Sequence, residues 1–349
     1  MFTVTFIGCS VNGIIVYVIL VNKKLQNVNN TFVASMCING FIISSFGTVF
    51  TAATSVRGEW IFGDAVCVFH SFVVFFLGLA IIATLTAMAF EKYAVIKYES
   101  RNMVTKRVCI YLLLGCHVYG LVIAGMPLVG WNEYQLEGYN ITCSINMDGR
   151  DANSTSFNIF MLLVGLVLPL GIMVIVYSRI ITTMKEKRKS ASFHSYSCQR
   201  KSILKREIKV TKTIIWMIGA FALAWSPYAI HCVVSMLGLT KGASPFTATL
   251  PALIAKTSCI YHPCIYVYKN KQLKSIVNRT IRCFRCSYTK VRLVRGGVTC
   301  LALKEFNNVS STNRKECHIP NTYEEEVDFS KSLHQPRENK RVYELSTNT

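Results

Sequence analysis

Long stretches without charged residues dominate the pattern of hydrophobic and polar positions along the chain. No Asp, Glu, Lys or Arg occurs in residues 1–22, 25–56, 65–90, 108–132, 152–178 and 213–240, and residues 242–268 contain only Lys256. About 20 apolar residues are enough to span a bilayer as a helix. The pattern therefore predicts seven spanning helices, near residues 1–22, 29–57, 66–95, 107–128, 156–184, 204–238 and 245–268.

Composition agrees with a membrane protein. Of the 349 residues, 52% are hydrophobic and 16% are charged, whereas roughly a quarter of the residues of a soluble protein are charged. Length alone would favour two globular domains, but the uncharged stretches exclude a soluble enzyme, a nucleic-acid-binding domain and a secreted disulfide scaffold. We predict an all-α membrane protein, a bundle of seven transmembrane helices.

Basic residues distinguish the two faces of this bundle. If the first helix begins outside, the outward loops contain Arg57, Arg150 and Lys241 as their only basic residues, and acidic residues outnumber them. The inward loops carry Lys23, Lys24 and the basic stretch 179–212. The positive-inside rule then predicts an outer N-terminus and a cytoplasmic C-terminus in a multi-pass plasma-membrane protein. The net charge of +20 arises mostly from the basic cytoplasmic loops, which anionic membrane lipid attracts. We therefore predict no nucleic-acid partner.

The chain divides into three regions. Residues 1–268 form the bundle, and we expect an extracellular segment to precede Met1 in the native protein, because the first helix is short. Residues 269–286 alternate apolar and basic positions at helical spacing, which predicts an amphipathic cytoplasmic helix. Cys283 and Cys286 lie at its end, where palmitoylation would add a second anchor. Residues 287–349 are polar and are expected to be disordered.

Two of the fourteen cysteines, Cys67 and Cys143, fall on the outer side, where disulfides form. A bridge between them would hold the long outward loop over the bundle, and the alternative is two free thiols. Asn140 and Asn153 begin outer glycosylation motifs, of which Asn153 is favoured because Asn140 lies three residues from Cys143. The sequence contains no pattern that predicts a metal site.

Lys256 is the most informative single residue. A lysine at mid-membrane costs ~2.5–3.5 kcal/mol on insertion scales and is a functional candidate. Snorkelling to an interface fails, because either end of the helix is roughly 18 Å away at 1.5 Å per residue. No other predicted helix carries an acid in its interior that could pair with it. A desolvated lysine amine forms Schiff bases with aldehydes, so we interpret Lys256 as an attachment site.

Several segments resemble the opsins, the rhodopsin-like receptors that bind retinal on a seventh-helix lysine. Lys256-Thr-Ser and Tyr261-His-Pro-Cys-Ile-Tyr266 resemble the seventh helix of opsins, and Ala224-Trp-Ser-Pro-Tyr-Ala229 is similar to the sixth. Asn270-Lys-Gln272 resembles the start of the opsin cytoplasmic helix. The resemblance extends from residue 1 to about 286. Pro127-Leu-Val-Gly-Trp131 is most similar to the encephalopsin and teleost multiple tissue opsin group.

This resemblance implies a light-sensing G-protein-coupled receptor, not an enzyme, that carries 11-cis retinal in darkness and all-trans retinal after light. It implies a retinal pocket formed by Val74, Gly78, Met161, Phe221, Trp225, Tyr228, Ala229 and Ala252. Vertebrate visual pigments have a counterion glutamate three residues after the third-helix cysteine, where this chain has His70. Glu137 matches the alternative counterion of non-visual and invertebrate opsins, so we hypothesise that it has this role and that the pigment is bistable.

The resemblance also implies a switch on the cytoplasmic side. Its residues would be Glu91, Lys92, Tyr93, Tyr177, Glu207, Tyr266, Asn270, Lys271 and Gln272. Tyr177 and Tyr266 stand where two tyrosines normally pair in the active state of the family. Lys92 stands where the family has arginine and would pair with Glu207 in the resting receptor, although a lysine lacks the planar donor fork of arginine. His262 replaces the usual asparagine, Gly40 the usual aspartate and His117 the usual tryptophan.

The partners implied are a heterotrimeric G protein, arrestin, a receptor kinase and membrane lipid. Because the departures fall in the transmission network, two alternatives remain open. The first is a retinal photoisomerase with weak or no G-protein signalling. The second is a chemoreceptor on an opsin-like frame.

Overall fold

The computed structural model describes residues 1–98, 104–191, 198–240 and 244–293, with the side chains of all of these except 188–204 and 283–293. The helices are α1 (Phe2–Val21), α2 (Val28–Ile42), α3 (Thr48–Arg57), α4 (Asp64–Tyr98), α5 (Lys106–Gly125), α6 (Ala152–Leu162), α7 (Leu168–Ala191), α8 (Cys198–Met236), α9 (Phe246–Lys269) and α10 (Lys271–Leu293). A hairpin of β1 (Tyr134–Glu137) and β2 (Thr142–Ile145) joins α5 to α6.

Two π-helical turns join short helices into longer ones. Ile43–Gly47 connects α2 to α3, and Leu163–Val167 connects α6 to α7. The described residues before α10 therefore form seven long helical segments, as predicted. Six of these are long and apolar enough to cross a membrane. The seventh segment, α9, is 24 residues long and is less apolar than the other six, because Lys256 and several Thr, Ser and His residues lower its hydropathy.

Several helices extend beyond their predicted ends. The segment formed by α6 and α7 begins at Ala152, because Asp151 caps it by accepting a hydrogen bond from Ser154 N at 2.9 Å. The hydrophobic pattern marks only the membrane-embedded part of a helix, so helical backbone that continues into water is missed. The predicted amphipathic helix, 269–286, likewise continues to Leu293, and the end that we predicted for it was wrong. Residues 294–349 lie outside the described residues, and so does most of the region predicted to be disordered.

The bundle core is apolar and continuous. Residues 1–286 form one compact unit, whose largest buried cluster joins side chains of α1, α2, α4, α7, α8 and α9 and includes Leu273 of α10. Large apolar side chains on the outside, such as Leu223 and Phe6, are more than 70% exposed. A soluble protein rarely leaves so many large apolar residues outside, whereas lipid accommodates them.

The hairpin closes one end of the bundle, which we call the hairpin end. A disulfide joins Cys67 of α4 to Cys143 of β2, as predicted. The hairpin tip is held on both sides, because Thr54 Oγ1 donates to the Ile141 carbonyl (2.5 Å) and Tyr139 N donates to Thr249 Oγ1 (3.2 Å). The hairpin is thereby fixed over the interior of the bundle, and α10 begins at the opposite end.

Candidate functional site

Lys256 lines a pocket bounded by α4, α6, α8, α9 and the hairpin. Its amine donates a hydrogen bond to Oγ1 of Thr142 in β2. In the described part of the chain this amine forms no ion pair. The sequence places a lysine at mid-helix, and the fold adds a cavity around it, so the amine faces a space into which a ligand could reach.

Glu137 is the carboxylate on the same side of this pocket. Glu137 and Thr142 are paired across the hairpin, and paired residues of antiparallel strands present their side chains to the same face. Glu137 is 9% exposed, and its Oε2 has no hydrogen-bond partner among the described residues. Burial raises the pKa of Glu137 from 4.5 to about 7, against the opposing effects of the Lys256 charge and the Ser144 hydroxyl. A carboxylate in this setting is stabilised by any further cation placed beside it.

His70 occupies a different environment. It is fully buried in α4, and its Nε2 lies 2.9 Å from the carbonyl oxygen of Gly47. Gly47 ends the π-helical turn between α2 and α3, and the imidazole ring contacts the rings of Phe50 and Trp60 with centroids 5.9 Å and 5.5 Å away. An imidazole carries no negative charge, so His70 cannot balance a positive charge, and Glu137 is the one acid among the described residues that line the cavity.

The eight residues that the opsin resemblance assigned to the ligand pocket all line the same cavity as Lys256 and Glu137. These are Val74, Gly78, Met161, Phe221, Trp225, Tyr228, Ala229 and Ala252. The walls are mostly apolar and aromatic, and the Lys256 amine lies at the hairpin, where it bonds to Thr142, the residue paired with Glu137. This distribution suits an apolar ligand with one reactive polar end.

Sequence reasoning missed part of the lining. Ser71, Phe75 and Ile82 of α4 also face the cavity, and they continue the stripe of Val74 and Gly78 at helical spacing, so periodicity would have identified them. Tyr134, Ser144 and Ile145 come from the hairpin. No local pattern indicates that this loop folds back over the interior of the bundle. Only the expected disulfide pointed to that arrangement.

Trp225 connects the pocket to the rest of α8. Its Nε1 donates a hydrogen bond of 3.2 Å to Ser258 Oγ on α9. Its ring stacks on that of Phe221, with centroids 5.5 Å apart and an interplanar angle of 24°. A Cβ added at Gly78 would lie 3.5 Å from the Trp225 ring, an ordinary van der Waals contact, so α4 lies directly beside the indole at this position. Trp225 is therefore held from three sides and would respond to a change in pocket shape.

Lys92 forms a buried ion pair at the other end of α4. The amine is 2.9 Å from Glu91 Oε2 and 3.0 Å from Glu207 Oε2 of α8, and Lys92 is fully buried. A lysine at this depth requires both partners, because an unpaired buried charge is strongly unfavourable. The pairing ties α4 to α8. Tyr93 lies on the same helix and packs its ring 5.4 Å from the Lys97 amine.

Tyr266 and Tyr177 do not bond to one another. The Tyr266 hydroxyl donates to Asn30 Oδ1 at 2.6 Å, whereas the buried Tyr177 hydroxyl has no partner among the described residues. Asn270 follows α9 and caps α10, because its Oδ1 accepts from Leu273 N at 3.1 Å. Lys271 and Gln272 are exposed in the first turn of α10. The two tyrosines are therefore not paired in this structure.

The remaining predicted sites are peripheral. Asn140 is exposed at the hairpin tip, and Asn153 is exposed near the start of α6, where its Nδ2 donates to the Gly130 carbonyl at 2.8 Å. The side chains of Cys283 and Cys286, predicted to be palmitoylated, lie outside the described residues. Both glycosylation and palmitoylation stay predictions.

Comparison with known proteins identifies the class of this bundle. The family model of the seven transmembrane receptors of the rhodopsin family matches residues 11–266. A crystal structure of squid rhodopsin has the same fold, with a TM-score of 0.76 over 89% of each chain at 24% identity. The chain therefore belongs to the rhodopsin family of seven-transmembrane receptors, multi-pass proteins of the membrane.

Similar proteins within that family include several opsins. The chain is 30% identical to human visual pigment-like receptor peropsin over 273 residues, which cover 78% of this chain and 80% of the relative. It is 31% identical to a rhodopsin of Leucoraja erinaceus, with coverages of 80% and 78%, and 28% identical to mouse Opsin-3, with coverages of 80% and 70%. The protein is thus an opsin-like receptor. Different opsin groups match at similar identity, so the predicted encephalopsin-type subgroup stays a prediction.

Proposed function

We propose that this protein is a light sensor that binds retinal covalently on Lys256 and signals to heterotrimeric G proteins. The observation that carries the proposal is that one apolar pocket contains both a lysine and a buried carboxylate. Among the described residues this lysine has no ionic partner. The two groups do not bond to each other among the described residues. The Lys256 amine donates to Thr142, and Glu137 Oε2 has no described hydrogen-bond partner.

The pocket residues fit this chromophore. The aromatic and aliphatic walls would hold a polyene, and the reactive amine stands at the polar end of the cavity. Retinal bound there, 11-cis in darkness and all-trans after illumination, would supply visible absorption and a double bond that isomerises. Lys256 attaches it as a Schiff base by condensation of the amine with the aldehyde, which releases water.

Glu137 acts as the counterion in this proposal. Its carboxylate keeps the proton on the Lys256 nitrogen, because burial makes an isolated cation there unfavourable. The His70 ring, bonded to the Gly47 carbonyl, takes no part in the charge balance. Because Glu137 belongs to the disulfide-bound hairpin and not to a moving helix, it stays beside Lys256 after illumination. We infer that the all-trans form is retained and that the pigment is bistable.

The signalling surface lies at the α10 end. The Lys92–Glu207 pair holds α4 to α8, and its release would let α8 move and open a cavity for a G protein, a population shift between two packings of the bundle. Basic residues concentrate at this end, and the positive-inside rule then assigns it to the cytoplasm and the hairpin end to the exterior. Arrestin and a receptor kinase would act on the same face.

Spectroscopy tests the proposal directly. Purified protein reconstituted with 11-cis retinal should absorb in the visible range, and borohydride should fix the chromophore to the chain. Lys256→Ala should abolish the band, while Lys269→Ala, a control at the end of the same helix, should leave it intact. A second illumination at the photoproduct wavelength should restore the dark spectrum. A wild-type protein that stays colourless in both the visible and near-ultraviolet would point instead to a chemoreceptor.

A retinal photoisomerase is the second candidate. The observation in its favour is Lys92, which is fully buried between two carboxylates and lacks the guanidinium with which the usual arginine contacts a G protein. Light-dependent nucleotide exchange on G proteins, assayed with the same pigment that gives the absorbance spectrum, separates the two functions. A pigment that isomerises retinal without stimulating exchange would favour the photoisomerase.

A further inference from the structure

Three rings form a continuous stack from the pocket into the bundle. Trp225 and Phe221 line the cavity, and their centroids are 5.5 Å apart at 24°. Phe221 in turn stacks on His262 of α9, at 5.8 Å and 23°. Close-packed rings transmit displacement, because a packed interior has no space to absorb it. The stack therefore forms a direct contact path from α8, at the pocket, to α9.

His262 differs from His70 and His117 in the kind of contact that it makes. His262 is 3% exposed, and neither of its ring nitrogens has a hydrogen-bond partner among the described residues. By contrast, His70 lies 2.9 Å from the Gly47 carbonyl and His117 lies 2.8 Å from the Leu113 carbonyl. The contact that the described residues show for His262 is the stacking of its ring face on Phe221.

Hydrogen bonds hold α9 on both sides of His262. Nearer the pocket, Asn12 Nδ2 donates to the Cys259 carbonyl at 3.1 Å. Toward the α10 end, Tyr266 donates to Asn30 at 2.6 Å. A displacement of the His262 ring would therefore act on a short segment of α9 between these two contacts. Of these two contacts, α9 makes the first through a backbone carbonyl and the second through the Tyr266 side chain, which can rotate away from Asn30.

We propose that His262 is a positioning residue that passes the movement of Trp225 to α9 by ring contact, releasing Tyr266 toward Tyr177. The inference rests on the proposed light-sensing function. The asparagine usual at this position has no ring, so there the stack would end at Phe221. In this protein the aromatic face of His262, and not its hydrogen-bonding capacity, is required for coupling.

Two substitutions separate the ring from its nitrogens. His262→Phe keeps the stack and removes the nitrogens, whereas His262→Asn keeps a polar group and removes the ring. Both should leave the dark spectrum unchanged, because His262 does not line the pocket. His262→Phe should retain light-dependent nucleotide exchange. His262→Asn should lower it by about tenfold or more, within the usual range for coupling between sites.

Controls keep the test independent of folding defects. His231→Asn makes the same chemical change on α8, outside the stack, and should leave exchange unaltered. Phe221→Leu should reduce exchange as His262→Asn does, and the double variant should lose little more, because both break one path. A His262→Phe pigment that no longer signals while His262→Asn does would overturn the inference in favour of a hydrogen-bonding role.

Stability of the retinal-free protein provides a readout that needs neither light nor a G protein. Because His262→Phe removes two unbonded buried nitrogens, its thermal unfolding midpoint should equal or exceed that of the wild type. A clear decrease would mean that the nitrogens are bonded in the native protein, which contradicts the inference. A wild-type chain without a pigment band would instead count against the proposed function, so the two failures are distinguishable.

Discussion

Glu137→Gln should have opposite effects on the retinal-free protein and on the pigment. In the folded protein burial raises the pKa of Glu137 from 4.5 to about 7. Between these values the unfolded chain releases a proton that the folded chain keeps, so stability falls as the pH rises. At about 1.4 kcal/mol per pH unit, the folded protein loses about 3 kcal/mol of stability over this interval, and the whole loss is reached above pH 7. Glutamine has nearly the same size and no charge, so the variant escapes this loss.

The assay is the thermal unfolding midpoint of the retinal-free protein in detergent, measured from pH 4.5 to 8. The wild type should lose stability across this range, and Glu137→Gln should be the more stable protein above pH 7 but not near pH 4.5. Glu133→Gln is the matched control, since Glu133 is exposed in the same loop and accepts a bond of 3.1 Å from Asn146. It should follow the wild-type curve.

In the pigment, by contrast, the loss of the Glu137 charge should be unfavourable. The carboxylate of Glu137 then balances the protonated Schiff base at Lys256, and its removal should deprotonate the attachment nitrogen and shift the dark absorbance toward the ultraviolet at neutral pH. A variant that keeps the visible band would refute the counterion role. A variant whose stability advantage is the same at pH 4.5 and pH 8 would refute the reasoning about buried charge. Only a buried counterion predicts both results.

Three further outcomes follow from the contacts of the site and the switch. Cys143→Ser should destabilise the pigment by about 2–5 kcal/mol, because it frees the hairpin, and the yield of pigment after reconstitution measures this. Glu207→Gln should raise nucleotide exchange in darkness by about fivefold or more, because it removes one partner of Lys92 and favours the open packing. Ser258→Ala should leave the Trp225 indole N–H unbonded at a cost of about 1–3 kcal/mol, which would appear as faster thermal decay of the dark pigment.

The fold was largely predictable because membrane insertion leaves a simple trace in the sequence. Uncharged stretches have to be about as long as the bilayer is thick, so the number of helices follows from counting them. The π-helical turns at Ile43–Gly47 and Leu163–Val167 were not predictable, because no residue type marks an extra residue in a helical turn. The hairpin was missed as an element for a related reason. Its strands have four residues each, too few for an alternating pattern to be recognised.

The candidate site was predictable only in part from the residues themselves. Lys256 is evident from charge alone, since a single lysine in a long uncharged stretch requires an explanation. Glu137 is one of several acids in the loops, and only the opsin resemblance singled it out. The hydrogen bond from Lys256 to Thr142 was not anticipated, because it depends on how the hairpin folds against α9. Tertiary contacts of a loop are not encoded in any local pattern.

The departures from the usual opsin residues each have a local structural counterpart. A side chain at Gly40 would begin 2.9 Å from Asn12 Oδ1, so the glycine makes room for the asparagine that holds α9. His117, in place of tryptophan, lies 3.2 Å from Asn39 Oδ1 through its Nε2, and thereby keeps α5 in contact with α2. Each of these two residues therefore has a defined contact between helices.

The same argument applies to the two departures nearest the signalling face. Lys92 makes the ion pair to Glu207 at 3.0 Å, so the link between α4 and α8 persists although its chemistry has changed. His262 replaces a polar contact with a ring that extends the stack of Phe221. A photoisomerase needs neither the link nor the stack, because its chemistry ends in the pocket. The connected path from the pocket to the α10 end therefore favours a receptor that transmits the change over an enzyme that only releases a product.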